Sequence, residues 1–414
     1  MSDGVRAEDQ SGDPLRLVEE NPEAVAALVE EYEAERPGRK LEGWPKRIVA
    51  VLGAGLSVYA LFWVLNPIPA QIYRISFLAV ALAMTFLIYR GGGGRKPGRP
   101  DNPGVIDYLL AVLAVVALGY TLVSFDDFVQ RAVIPTPTDV AFGTVTTLLV
   151  LEATRRTVGW ILPGIVVAFL AYAWLGGLIP PSIPIAHVGY DLDRLVGQTY
   201  MGLEGIFGTP LDVAATYIVL FTIYGAVLEF SGAGQYFIDV SAAAFGRSAS
   251  GPGRTTAAAG FLLGTVSGSG TATTVTLGSV AWPLLKRAGY HPDAGGGILA
   301  AAGIGAILSP PTLGAAAFII AELLGVSYLK VLVFATIPSL LYYLGIFLAI
   351  EADARRIRAA EVQVEAPPLG RLIWRYGYHF SSLFLIVVLM ALGRSRKDRA
   401  KAAMVARNTE RNGE

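Results

Sequence analysis

Two short stretches hold the residues whose types and spacing could do chemistry. The first is GTVSGSGTATTVTLG, Gly264 to Gly278, and the second is Ser309, Pro310, Pro311 and Thr312 within GIGAILSPPTLGAAAF. Glycine permits tight turns and close approach of backbone to a ligand, and serine adds an oxygen. Ser267, Gly268, Ser269 and Gly270 can therefore turn tightly, approach a ligand closely and offer it oxygens. Two adjacent prolines must interrupt a helical hydrogen-bond ladder, which frees the preceding carbonyls. Those carbonyls can face a cation, while the positive end of a half-helix starting near Leu313 can face an anion. Thr271 is placed to cap a second helical arm, and Thr273 and Thr274 continue a polar face. With Ser309, Pro310, Pro311 and Thr312, these threonines form the candidate substrate-binding set. The chemistry is coordination rather than bond making. A serine nucleophile would need a nearby base, yet Thr265 occupies the place of a motif glycine and His187, His291 and His379 all lie outside the apolar mid-spans. The chain has no cysteine, so thiolate metal sites are excluded, and no cofactor is expected.

The elements that must position these stretches are membrane helices. Hydrophobic residues make up 53% of the chain against 16% charged, mean hydropathy is +0.52, and apolar runs of about 20 residues recur. Net charge is zero and gives no reason to expect nucleic acid as a partner. The acidic residues 1–45 lack the apolar core of a signal peptide and read as a cytosolic tail. Hydropathy places spans at Ile48 to Asn66, Ala70 to Tyr89, Val105 to Ser124, Val140 to Leu151 continuing toward Arg155, Val158 to Ile179 and Asp212 to Ser231. A broken region, Thr255 to Leu285, and a broken span, Ala294 to Val326, precede Tyr328 to Ile350 and Trp374 to Leu392. The glycine-rich linker GGGGRKPGRP lacks the Lys-Ser/Thr ending of a phosphate loop and reads as a connector.

Charge in the loops fixes the topology. Lys46, Arg47, Arg90, Arg95, Lys96, Arg99, Arg155 and Arg156 all fall on one side, cytosolic with the N-terminus. Arg247 and Arg254 precede the glycine-rich stretch on that side, and Lys286 and Arg287 follow it. A full crossing between them would strand the second pair outside. A re-entrant hairpin avoids this, with arms Thr255 to Val266 and Thr271 to Trp282 of 12 residues each. Such arms reach roughly 18 Å, short of a hydrocarbon core of about 30 Å. Irregular backbone at that depth needs cover from protein or a water-filled cavity, which is why the tip reads as a site rather than as a Gly/Ser helix-packing motif.

These residues resemble the large membrane subunit of tripartite ATP-independent periplasmic (TRAP) transporters, particularly the fused small-plus-large permeases of the TAXI branch. The resemblance runs from about Glu152 to Glu351 and rests on EATRRTVGWILPGIVVAFLAYAWLGGLIP, LEGIFGTPLDVAATYIVLF, LEFSGAGQYFIDV, GTVSGSGTATTVTLGSVAWPLLKRAGY, LSPPTLGAAAFIIAELLGVSYL and PSLLYYLGIFLAIEADA. It implies an all-α polytopic membrane protein, one half of an elevator-type transporter with a re-entrant hairpin and a broken transmembrane helix. Residues 46–157 would be the small-subunit-like helices, and residues 158–392 the first half of the large permease, with hairpin 255–285 and broken helix 294–326. Residues 393–414 form a basic tail. The implied function is import of organic acids, driven by an ion gradient, from an extracytoplasmic solute-binding protein across the inner (cytoplasmic) membrane, with membrane lipid as surroundings. The resemblance makes Ser267, Gly268, Ser269 and Gly270 the candidate Na⁺ ligands, and the absence of ionisable residues between Thr255 and Leu285 favours Na⁺ over H⁺ as the coupling ion. Pro180 to Leu211, the longest exterior loop, is expected to help receive the binding protein through Asp191, Asp193 and Glu204.

An inverted-repeat transporter needs two halves around one midplane site. One hairpin and one broken span are found, and Arg394, Arg396, Lys397, Arg399 and Lys401 follow a span that should exit the cytosol. The expectation is a truncated or split permease whose second half is separately encoded; the alternative is a membrane scaffold or regulatory fragment that does not transport.

Overall fold

The structure is a computed structural model and describes residues 38–385 apart from 93–100, 132–133, 247, 268–269, 312, 361, 363–366 and 382, together with residue 388. Most of both charged tails expected at the chain ends lies outside the described residues. The regular structure among the described residues is helical, and six helices are long and apolar enough to cross a membrane. The chain is an all-α polytopic membrane protein. Its residues separate into two compact units, Met1–Gly208 and Thr209–Glu414.

The first unit contains α1 (Trp44–Leu65), α2 (Ala70–Ile88), α3 (Val105–Val123), α4 (Phe125–Gln130), α5 (Pro137–Val158), α6 (Ile161–Leu178) and α7 (Leu192–Val196). Four apolar runs become crossing-length helices, α1, α2, α3 and α6, close to the expected bounds. α5 has crossing length too but carries charge at both ends, and these charges are paired inside the unit. Asp139 accepts bonds from Tyr120 Oη at 2.8 Å, Arg131 Nε at 3.1 Å and Thr136 Oγ1 at 2.6 Å, while Thr136 caps the helix. At the other end Glu152 binds Arg155 and Arg156, at 2.7 and 2.8 Å. The expected exterior loop is partly ordered by helix, since α7 continues into a π-turn, Gly197–Met201, that buries Tyr200 and Met201.

The second unit contains α8 (Thr209–Phe230), α9 (Ala233–Phe245), α10 (Gly251–Ser267), α11 (Gly270–Arg287), α12 (Pro292–Gly305), α13 (Ala316–Leu323), α14 (Tyr328–Ile357) and α15 (Leu369–Tyr376). α10 and α11 pack on each other and both pack on α12. Their lengths, 17 and 18 residues, correct the expected arms of 12. Each reaches about 26 Å, because helix continues past the apolar run into Gly251 at one base and Lys286 and Arg287 at the other.

Two further departures are helices where none was expected to start. Gly232, at φ 85°, ends α8 in the left-handed region and lets the chain re-enter α9 at once. α9 buries Tyr236, Phe237, Ser241 and Ala242, packing against α10. At the far end, the span expected from Trp374 is preceded by the eight-residue α15, whose Leu372 is buried while Trp374 is exposed.

Candidate functional site

α12 loses its regular pattern where the prolines require it. A 3₁₀ turn, Ala306–Leu308, follows Gly305, helix resumes only at Ala316, and the Pro310–Pro311 peptide is cis. The half-helix α13 is held from the side. Phe318 stacks on Tyr328 at 4.1 Å and on Tyr217 at 5.6 Å, inside a buried cluster with Val213, Leu313 and Val331. This packing, rather than the ladder, fixes α13 in direction.

The hairpin meets α12 at and just before the break. A Cβ on Gly264 would lie 2.4 Å from Ala306 Cα and 3.1 Å from Ser309 Oγ. On the other arm, a Cβ on Gly270 would lie 3.1 Å from Gly303 O, and one on Gly303 only 1.7 Å from Thr274 Oγ1. A side chain is excluded at Gly264 and Gly303 and closely confined at Gly270, so the ends of both arms seat tightly on α12. Gly264 is thus brought beside Ser309, and Gly270 and Thr274 beside Gly303. Thr274 Oγ1 donates to Gly270 O at 2.8 Å.

The remaining expected site residues are placed differently. Ser267 closes α10, while Gly268, Ser269 and Thr312 lie outside the described residues. Thr271 does not cap α11, which starts at Gly270; it lies in the first turn and is exposed. Thr273 is buried, so the three threonines do not line one face. Ser309 and Pro311 are buried and Pro310 is half-buried. Glu229 and Glu322, the carboxylates at the ends of their apolar runs, are both exposed, as an interfacial position requires.

The freed carbonyls are answered by a stripe of hydroxyls on α14 that the sequence reading missed. Ser339 Oγ donates to Leu308 O at 2.6 Å, Tyr342 Oη to Ala301 O at 2.8 Å, and Tyr328 Oη to Pro311 O at 2.9 Å. Ser309 Oγ donates to Gly305 O at 2.9 Å and lies 3.0 Å from Tyr343 Oη. Gly314 N–H returns to Ile307 O at 2.8 Å. These bonds give partners to backbone carbonyls at and before the break. A carbonyl has two lone pairs, so one taken by a hydroxyl still leaves an acceptor for a cation. The signal was present in the spacing: Tyr328, Ser339, Tyr342 and Tyr343 share one helical face of an otherwise apolar span.

Residues 145–407 match the family described as "Tripartite ATP-independent periplasmic transporter, DctM component". A protein of Haemophilus influenzae named "Putative TRAP transporter large permease protein" is 26% identical over 170 residues, 41% of this chain and 40% of its own length. The chain therefore spans about two fifths of the length of that curated relative.

Proposed function

The chain belongs to the DctM family of tripartite ATP-independent periplasmic transporters, and from that membership we propose that it is the permease component of a Na⁺-coupled importer of organic acids. A solute-binding protein delivers the carboxylate at the outer face, with the segment from Pro180 to Leu211 as a docking surface. What supports the reading is one observation: the ends of a helical hairpin, Gly264 and Gly270, seat on the break of a discontinuous helix at Gly303, Ala306 and Ser309. Helix ends and unwound backbone meeting in a membrane protein provide fixed partial charges for a cation and an anion together. Ser267 to Gly270 supply the Na⁺ ligands in this reading. Thr274 and Ser309, with Thr271, Thr273, Pro310, Pro311 and Thr312 around them, supply the carboxylate site.

The expected result, with the chain co-expressed with its binding protein and the separately encoded second permease half, is carboxylate uptake that requires an inward Na⁺ gradient. Replacing Na⁺ by K⁺ at the same membrane potential should abolish it. Uptake that persists in K⁺ would overturn the coupling ion, and no carboxylate uptake under any gradient would overturn transport.

The same reading places the N-terminus and both hairpin bases in the cytosol. The chain has no cysteine, so single replacements report sidedness without background. Lys40→Cys and Arg287→Cys should react with an impermeant maleimide only in inverted vesicles, and Ile185→Cys only in intact cells. Labelling of Arg287→Cys from outside would replace the re-entrant hairpin with a full crossing.

A further inference from the structure

An apolar cleft lies beside the break and shares Pro310, Ser339 and Tyr343 with it. The cleft, of about 530 Å³, runs between α9, α10 and α14, walled by Phe245, Phe261, Leu340, Tyr343 and Phe347, with Pro310 at its inner end. Its hydroxyl groups turn away from the space. Ser241 Oγ donates to Phe237 O at 2.8 Å, Ser339 Oγ to Leu308 O, and Tyr343 Oη is engaged with Ser309. The wall presented to an occupant is therefore apolar, and water would find few polar partners there.

Both stripes that line the cleft continue by one or two helical turns into charge. Along α14 the lining positions Leu340, Tyr343 and Phe347 are followed on the same face by Glu351 and Arg355. Along α10, Ala258 and Phe261 are preceded on the same face by Arg254. Glu351 pairs with Arg254 and, at 3.1 Å, with Arg355. One carboxylate thus serves two guanidiniums and leaves a net positive charge, with the Arg355 side chain 79% exposed. Phe347 and Arg355 are separated by about 12 Å along the helix axis. The mouth is continuous with the outer face of α14, where Leu340 is 66% exposed on a helix long and apolar enough to cross the bilayer.

We infer that this cleft holds one acyl chain of an anionic phospholipid, whose headgroup phosphate engages Arg355 beside the Arg254–Glu351 pair. The apolar trough matches the chain, and the excess positive charge at its end matches a headgroup of net negative charge better than a zwitterionic one. The inference is independent of the transport reading, because it needs neither Na⁺ nor substrate.

The test uses the full chain purified in detergent, titrated with phosphatidylglycerol or phosphatidylcholine of identical acyl chains and followed by native mass spectrometry. One phosphatidylglycerol should bind with about fivefold higher affinity than phosphatidylcholine, the factor for one basic side chain near an anionic surface. Ala244→Trp fills the cleft and should remove binding of both lipids; Leu340→Trp, at the exposed mouth, serves the same purpose if the first variant fails to fold. Arg355→Gln should keep phosphatidylcholine binding and lower phosphatidylglycerol to the same level. Lipid binding unchanged by either tryptophan, a headgroup preference that survives Arg355→Gln, or a wild-type chain that binds neither lipid would overturn the inference.

Discussion

Gly303→Ala is expected to force the hairpin off the broken helix. The added methyl would sit 1.7 Å from Thr274 Oγ1, 2.9 Å from Thr274 Cβ and 2.7 Å from the carbonyl oxygen of Gly270. The last of these is backbone and cannot rotate away. Overpacking of this kind costs about 1–3 kcal/mol, so thermal unfolding in detergent should shift down accordingly. Uptake should fall by about five- to 150-fold if that cost falls on the competent arrangement, at tenfold for every 1.4 kcal/mol. Gly297→Ala on the same helix is the control: nothing lies within 4 Å of its Cβ position. There alanine should be neutral or stabilise by up to about 1 kcal/mol through helix propensity. Thr274→Gly in the Gly303→Ala background removes two of the three clashes and should restore part of the stability. If Gly303→Ala and Gly297→Ala behave alike, the hairpin does not seat where the geometry places it.

How much of this was legible in the sequence depends on how locally each feature is encoded. α1, α2, α3, α6, α8 and α14 are unbroken apolar runs, and hydropathy locates them because burial in lipid and apolar composition are the same requirement. The hairpin and the break were legible because Gly268, Gly270, Pro310 and Pro311 are local backbone instructions, and Lys286 and Arg287 mark the side on which the second arm must end. The arm lengths were not, because helix runs on beyond the apolar residues to positions hydropathy treats as loop. α9 escaped for a related reason: at 13 residues, with Gln235 and Asp239 on its outer side, it is too short and too polar for a span. The α14 hydroxyls fell between two habits of reading. Each is ordinary alone, and only the register that points them at the freed carbonyls gives them a role. Charge partners distant in sequence leave no local trace at all, and the first unit depends on a set of these.

Asp107 is where that dependence is greatest, and Asp107→Leu is expected to cost about 3–5 kcal/mol, the range for breaking a buried ion pair by removing one partner. It sits in the first turn of α3, where its carboxylate accepts Arg39 Nη2 at 2.6 Å, Arg156 Nη1 at 2.6 Å and the Gly104 N–H at 2.8 Å. The three side chains are between 3% and 10% exposed, so solvent does little to screen the loss. Arg156 also donates to Glu152 at 2.8 Å and to Tyr89 O at 3.2 Å, and its guanidinium lies over the Phe86 ring at 5.2 Å. One carboxylate therefore ties the segment before α1, the end of α2, the start of α3 and the end of α5. The two arginines are not equally exposed to its removal. Arg156 keeps Glu152, whereas the other bond from Arg39 goes to the Leu87 carbonyl at 3.3 Å, which carries no compensating charge. Stranding of Arg39 should then dominate the cost, and Arg39→Leu added to Asp107→Leu should recover a measurable part of it. Arg156→Lys should also destabilise, because an ammonium cannot hold Asp107, Glu152 and the Tyr89 carbonyl as one planar fork does. Unfolding of each variant in detergent decides the point: a loss below about 1 kcal/mol for Asp107→Leu, as for a surface pair, or a double variant no better than the single one, would show that the four segments are held by their apolar packing alone.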